Sequence, residues 1–125
     1  VTVADESHHL VEGVKPFETS DELYLMETHG DLHVLLETQF EGNTPGFVEE
    51  DWAETSVPVF YLHKVEKGEV LYLTLGHCRG HYDMYDLPEP MEYYPEVERC
   101  AWDLPVFYDL LRRGIGWAKE DSLKG

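Results

Sequence analysis

The sequence VFYLHKVEKGEVLYLTLGH, residues 59–77, decides the fold because it holds two apolar runs separated by a short polar break. Residues 59–65 and 70–75 are rich in the β-branched and aromatic side chains that strands favour. Gly68, in the break at residues 66–69, can supply the positive φ that a tight hairpin requires. We therefore predict an antiparallel hairpin. Its second strand is apolar on both faces, which predicts a central strand covered on both sides.

The chain before this hairpin contains further strand patterns. Residues 32–40 alternate between two sets of side chains with the period of two that is typical of a strand. Residues 1–3 and 23–26 are short apolar runs that also predict strands. Residues 41–57 contain five acidic residues together with Gly42 and Pro45, and this composition predicts a loop.

The chain after the hairpin predicts a long loop and then a helix. Residues 80–101 are rich in proline, tyrosine and acidic residues, and their prolines exclude a regular helix or a central strand. Asp103 precedes Pro105, which predicts an N-cap followed by proline in the first helical turn. One apolar stripe then follows at helical spacing: Leu104, Phe107, Leu110, Leu111, Ile115 and Ala118. Gly114 and Gly116 weaken this helix, and a close approach of helix to sheet would explain them.

Composition limits the classes of partner. The chain has 125 residues, which fits one domain or less, and a formal net charge of −17. Such a charge argues against nucleic acid and anionic membranes as partners, because phosphate binding needs clustered Lys and Arg. There is no long apolar run for a membrane span and no signal-peptide pattern, and the two cysteines are too few for a disulfide framework. A cytoplasmic location is the expectation. Because the first residue is Val1, we expect a processed, trimmed or fragmentary chain.

The densest group of chemically useful side chains follows the second hairpin strand. His77 and His81 stand four residues apart, with Cys78 between them and glycines at 76 and 80. A strand end holds a side chain rigidly at a crevice, and imidazole titrates near neutrality, so His77 is the first candidate for an acid or base. Zinc binding by both histidines is an alternative, although Gly80 disfavours the helix that this spacing would suit. Cys78 is better explained as a small packed residue than as a nucleophile.

Other candidates are less localised. His8 and His9 stand beside Asp5 and Glu6 in a second cluster, and Glu22 is a carboxylate at the start of a predicted strand. The tyrosines between residues 82 and 94 either stack on a sugar ring or form the apolar underside of a lid. If the opening strand runs parallel to residues 70–75, His8 and His77 reach a common crevice.

Four stretches, read in order, resemble the carboxyl-terminal part of the ThuA-like (trehalose utilisation) family. Residues 5–17 are similar to the family's Asp-x-x-His-Pro-Ile-x-x-Gly-Leu-x-x-Phe segment, with His9 in place of the proline. Residues 21–24 match its Asp-Glu-Leu-Tyr. Residues 58–77 resemble its hairpin, Pro-Val, Gly-Lys-Gly-Arg-Val and Leu-Gly-His, with glutamates at 66 and 69 replacing Gly and Arg. Residues 110–118 resemble its closing helix, Leu-Leu-x-Arg-Gly-Ile-x-Trp-Ala.

The resemblance implies a flavodoxin-like, class I glutamine amidotransferase-like α/β fold, of which residues 1–125 form a single partial domain containing the 80–101 loop. It also implies a role in the metabolism of trehalose or related disaccharides and keto-sugars, without the amidotransferase cysteine nucleophile. We therefore expect this chain to be the carboxyl-terminal half of a larger domain, without the family's amino-terminal βα units. An exposed sheet edge where those strands would pair predicts self-association of the chain.

Two classes of function follow. The first is a sugar-handling enzyme with His77, His8 and Glu22 as catalytic residues and with His81, Tyr82 and Tyr24 binding a small-molecule sugar. A divalent metal such as zinc would be held by candidates His8, His77 and His81. The second is a non-catalytic carbohydrate-binding or assembly module, or an inactive truncated half-domain. Replacing His77 with Ala separates these classes, because turnover would be lost in the first while binding persists in the second.

Overall fold

The computed structural model describes residues 1–78 and 97–122, which hold four strands, two short 3₁₀ helices and one α-helix. The strands are β1 (Thr2–Val3), β2 (Leu32–Asn43), β3 (Asp51–Val65) and β4 (Gly68–Leu73). Among the described residues there are also two short 3₁₀ helices. The first, His9–Val11, follows β1, and the second, Cys100–Asp103, directly precedes the helix α1 (Pro105–Ser122).

The four strands form one antiparallel sheet in the order β1-β2-β3-β4. A single row crosses the sheet through Val3, Leu36, Phe60 and Leu73, which are paired in turn. Neighbouring strands are therefore consecutive in the chain, and each pair is joined without a crossover. The sheet with α1 packed against it is consistent with part of a flavodoxin-like α/β domain.

The predicted hairpin is confirmed, but its turn differs in one respect. Val65 pairs with Gly68, so only Glu66 and Lys67 form the loop. The positive φ belongs to Glu66, at 54°, and not to Gly68. The backbone of Glu66, a residue with a Cβ, therefore has a left-handed conformation that glycine adopts at lower cost in free energy.

The prediction of a central second strand is wrong, because β4 is an edge strand of the described sheet. Its side chains alternate in burial: Val70 is 49% exposed and Tyr72 44%. Leu71 and Leu73 pack instead against the core under α1. An apolar sequence shows that the side chains of a strand tolerate burial, but it does not show that other elements pack against both faces of that strand.

Two other strand boundaries differ from the predictions. The loop predicted at 41–57 is shorter, because β2 continues to Asn43 and β3 begins at Asp51. The Asn43 amide donates to Asp51 Oδ1 at 2.8 Å, and the Trp52 indole donates to Thr44 Oγ1 at 3.0 Å, which closes the long hairpin. Residues 23–26 form no strand. The hydroxyl of Tyr24 instead forms a hydrogen bond with the ring of His77.

The core lies between the sheet and the elements covering one of its faces. Its buried members come from the first 3₁₀ helix, β2, β3 and α1: Leu10, Val11, Leu35, Leu36, Val59, Phe60, Leu62 and Leu110. Gly114 permits close approach of α1, because a Cβ there would lie 3.3 Å from Leu71 Cδ2. The same explanation fails for Gly116, which has open space around it.

The helix is confirmed, but its cap and stripe differ from the predictions. It begins at Pro105, so the preceding residue is Leu104, and the Asp103 carboxylate instead accepts from Arg99 Nε at 2.9 Å. Ile115 is 62% exposed and does not join the core, whereas Trp117 packs against it. Most of the predicted 80–101 loop lies outside the described residues. Among the described helices, none combines the length and apolarity needed to cross a membrane.

Candidate functional site

Asp21 is the centre of the best-connected polar cluster among the described residues. Its side chain is only 4% exposed. Oδ1 accepts from the backbone N–H groups of Glu22 and His77 at 2.9 and 3.2 Å, and from His77 Nδ1 at 2.7 Å. Oδ2 accepts from the N–H groups of Gly76 and Ala101 at 3.0 and 3.4 Å. A buried carboxylate needs such partners, because an unpaired charge would be costly away from water.

The protonation state of Asp21 follows from these contacts. Burial alone would raise its pKa, but the hydrogen bonds from Gly76, His77 and Glu22 outweigh burial, so the pKa lies below its usual value. The carboxylate is therefore ionised at neutral pH and accepts from every one of these donors.

His77 is held through both ring nitrogens. Because Asp21 is ionised, Nδ1 carries the proton and donates to it, which assigns Nε2 as the basic nitrogen of the neutral ring. Tyr24 OH lies 2.6 Å from Nε2 and donates to it in this tautomer. Glu22 Oε2 lies 3.6 Å from the same nitrogen. The imidazole side chain is 25% exposed, so it is oriented by a buried group and remains accessible.

Two cavities meet at the strip of chain that carries Asp21, Glu22 and Leu23. One has a volume of about 410 Å³ and is also lined by Ser20, Phe47, Glu98 and Cys100. The other has a volume of about 190 Å³ and is bounded on its far side by residues of three strands or their ends, Thr38, Gln39, Val59, Thr74 and Leu75 among them. His77 does not itself line either cavity in the described structure, although its partners Asp21 and Glu22 line both.

The structure does not bring His8 to His77. Val3 and Leu73 share one row of the sheet, but their strands run in opposite directions. The Ala4 N–H, after Val3, donates to the carbonyl of Leu35, whereas the Thr74 N–H, after Leu73, donates to the carbonyl of Val59. Leu35 and Val59 lie on opposite sides of that row. The two histidines therefore lie toward opposite ends of the sheet, and the shared crevice, which required parallel strands, is not formed.

His8 belongs to a separate cluster near the start of β2. Its Nδ1 accepts from Leu10 N–H at 3.3 Å and so caps the first 3₁₀ helix. Its ring stacks on His9 with centroids 4.6 Å apart and meets His33 edge-on at 5.1 Å. Burial lowers the pKa of His8, and the neighbouring His9 and His33 lower it further. His33 in turn lies 2.8 Å from Asp5 Oδ2.

Two of the predicted metal ligands, His8 and His77, do not lie at one site. His8 and His77 cannot share an ion across the sheet, and both nitrogens of His77 already have hydrogen-bond partners. Over residues 1–78 and 97–122, no three His, Cys, Asp or Glu side chains are grouped to hold a metal. His81 and Tyr82 lie outside the described residues, so their predicted roles remain predictions.

Sequence reasoning missed Asp21 and Trp102. Asp21 was available as the first residue of Asp-Glu-Leu-Tyr, but it is one of 26 acidic residues and nothing local distinguishes it. The Trp102 indole donates to the carbonyl of Gly76 at 2.8 Å, directly before His77. No spacing in the chain signals a contact between residues so far apart.

The fold and the site define an α/β protein with a buried carboxylate–histidine pair at a strand end. The profile of the ThuA family, described as trehalose utilisation, matches residues 1–91. The chain belongs to this family. It matches no curated protein and no solved structure.

Proposed function

We propose that this protein acts on a carbohydrate, trehalose or a related disaccharide or keto-sugar, and that His77 transfers a proton in the reaction. Membership of the trehalose-utilisation family supports the substrate class. The observation that carries the proposal is the hydrogen-bonded chain from buried Asp21 through His77 to Tyr24. The cytoplasmic location expected from the cysteine content belongs to the same proposal.

The proposed chemistry follows from the orientation of the ring. Asp21 holds the Nδ1 proton, so Nε2 can accept a proton from a sugar hydroxyl or from a carbon next to a carbonyl. The imidazolium formed would be stabilised by Asp21 at 2.7 Å from Nδ1 and by Glu22 at 3.6 Å from Nε2. Tyr24, whose hydroxyl contacts Nε2, would bind the substrate or pass the proton on.

The lining of the cavities supports a polyhydroxylated ligand. The larger cavity offers Ser20, Glu22 and Glu98 as hydrogen-bonding groups, and the exposed ring of Phe47 as a stacking surface. The smaller one offers the amide of Gln39 and nearby threonine hydroxyls. The proposed catalytic residues do not include His8, because it lies toward the opposite end of the sheet from His77. His81 and Tyr82 remain predicted substrate contacts.

The test is to incubate the chain with trehalose and with a keto-disaccharide, measuring binding by calorimetry and conversion by chromatography. We expect His77→Ala to lower turnover by about a hundredfold or more while the dissociation constant changes little. His29→Ala is the matched control, because the side chain of His29 is largely exposed. Sugar binding without turnover in the unmodified chain would favour the carbohydrate-binding module instead. Turnover that survives His77→Ala, or no sugar binding at millimolar concentration, would contradict the proposal.

A further inference from the structure

The second 3₁₀ helix and the start of α1 pack against the Asp21–His77 site. Both elements lie beyond residues 1–91, which the family profile matches. The Trp102 indole N–H donates to the Gly76 carbonyl at 2.8 Å. The Ala101 N–H donates to Asp21 Oδ2 at 3.4 Å. This segment therefore contacts both the residue before His77 and the carboxylate that orients its ring.

The backbone at Gly76 is held by these contacts with little freedom. Its φ is +114°, and a Cβ at this position would lie only 2.9 Å from Phe107 Cζ. Asp21 binds its N–H and Trp102 binds its carbonyl. Trp102 is fixed in turn, because its ring meets that of Phe107 with centroids 4.8 Å apart and its carbonyl accepts from Tyr108 OH at 2.9 Å.

We propose that Trp102 is a positioning residue that sets the orientation of the His77 ring through the Gly76–His77 peptide. Glycine has no side chain that could fix its own backbone, so the hydrogen bond to its carbonyl and those to Asp21 determine where the next residue points. A displacement of about 1 Å at a reacting group is enough to cost about a hundredfold in rate. The importance of this role for catalysis rests on the proposed function, but the positioning itself does not.

Trp102→Phe tests this proposal, because it removes the indole N–H and keeps an aromatic ring against Phe107. Trp52→Phe is the matched control: its indole N–H donates to Thr44 Oγ1 and the Glu49 carbonyl in the β2–β3 turn, away from the site. The readout is the ¹⁵N and ¹H NMR spectrum of the His77 ring, assigned with His77→Ala. This measurement needs no substrate, so it distinguishes a failure of the positioning proposal from a failure of the proposed function.

We expect Trp102→Phe to shift the His77 ring signals and to speed the solvent exchange of its Nδ1 proton, whereas Trp52→Phe leaves both unchanged. In turnover assays, kcat should fall by about tenfold to a hundredfold, depending on how far the ring moves, with KM within about twofold, because orientation rather than binding is lost. Identical His77 spectra in the two variants would overturn the proposal. If Trp102→Phe does not fold, Tyr108→Phe, which removes the bond to the Trp102 carbonyl, should give a smaller shift of the same signals; unchanged signals there would overturn it as well.

Discussion

Asp21→Asn is the substitution that tests the site most directly. The carboxamide has nearly the same shape as the carboxylate but carries no charge and only one acceptor oxygen. If that oxygen faces Glu22 and His77, the NH₂ group faces the N–H groups of Gly76 and Ala101, which are donors themselves. Two partly buried donors then lose their acceptor.

The magnitude follows from these contacts. A hydrogen bond to a charged group contributes about 1.5–3 kcal/mol, and the longer of the two lost bonds, from Ala101 at 3.4 Å, contributes at the lower end. We expect a loss of about 3 kcal/mol in the free energy of unfolding. For a chain of this size, that corresponds to a fall of about 10–15 °C in Tm.

Thermal melting followed by circular dichroism at several pH values measures this effect. The folded pKa of Asp21 lies below its ordinary value of 3.8, so its contribution is complete above that pH and is lost as the pH falls through the folded pKa. The gap in Tm between Asp21→Asn and the unmodified chain should therefore be full at pH 7 and narrow below about pH 4.

Asp31→Asn serves as the control, because Asp31 is exposed directly before β2. A Tm loss for Asp21→Asn no larger than that of this control would refute the reasoning. A gap that stays constant down to pH 3 would show that the charge of Asp21 does not stabilise the fold.

Three further predictions concern the rest of the molecule. Glu66→Gly should stabilise the chain by about 1 kcal/mol in chemical denaturation, because it relieves the φ of 54°, whereas Lys67→Gly should not stabilise it. The lowered pKa of His8 means that its neutral form stabilises the fold, so stability should decline as the pH falls below about 6.5; His8→Asn, which can still cap Leu10 N–H, should lessen that decline in melting experiments. We also expect the chain to self-associate in sedimentation, more strongly at high salt because of its charge of −17, and Tyr72→Lys on the edge strand to reduce this; a monomer at all salt concentrations would contradict the prediction.

The elements that carry a local pattern were predictable. β2 and α1 each repeat side chains with the period of their own structure, and the hairpin shows two strand-type runs around a short polar break, so no distant residue is needed to recognise any of them. The position of a strand in its sheet is different. β4 has the composition of a central strand, yet it lies at the edge of the described sheet, because its neighbours are decided by packing that the strand itself does not encode.

The candidate site was predictable only in part, for the same physical reason. His77 stood out because it follows an apolar strand and a glycine, which are local signals. Asp21 has no such signal, since its contacts with His77 and Ala101 span 56 and 80 residues. The pairing of His8 with His77 depended on strand direction: a shared crevice required the opening strand to run parallel to β4, and the described sheet is antiparallel throughout.

The difference in exposure between Asp21 and its partners gives the cluster its chemical character. Asp21 is almost fully buried, so its negative charge acts on His77 with little screening by water, and its five backbone and ring donors offset the cost of burying it. His77 is partly exposed, and Tyr24 and Glu22 at its outer nitrogen are more exposed still. The negative charge of the buried carboxylate therefore acts on the more exposed groups through the imidazole of His77. Structural salt bridges do not require such an asymmetry, whereas a group that exchanges a proton with a ligand does.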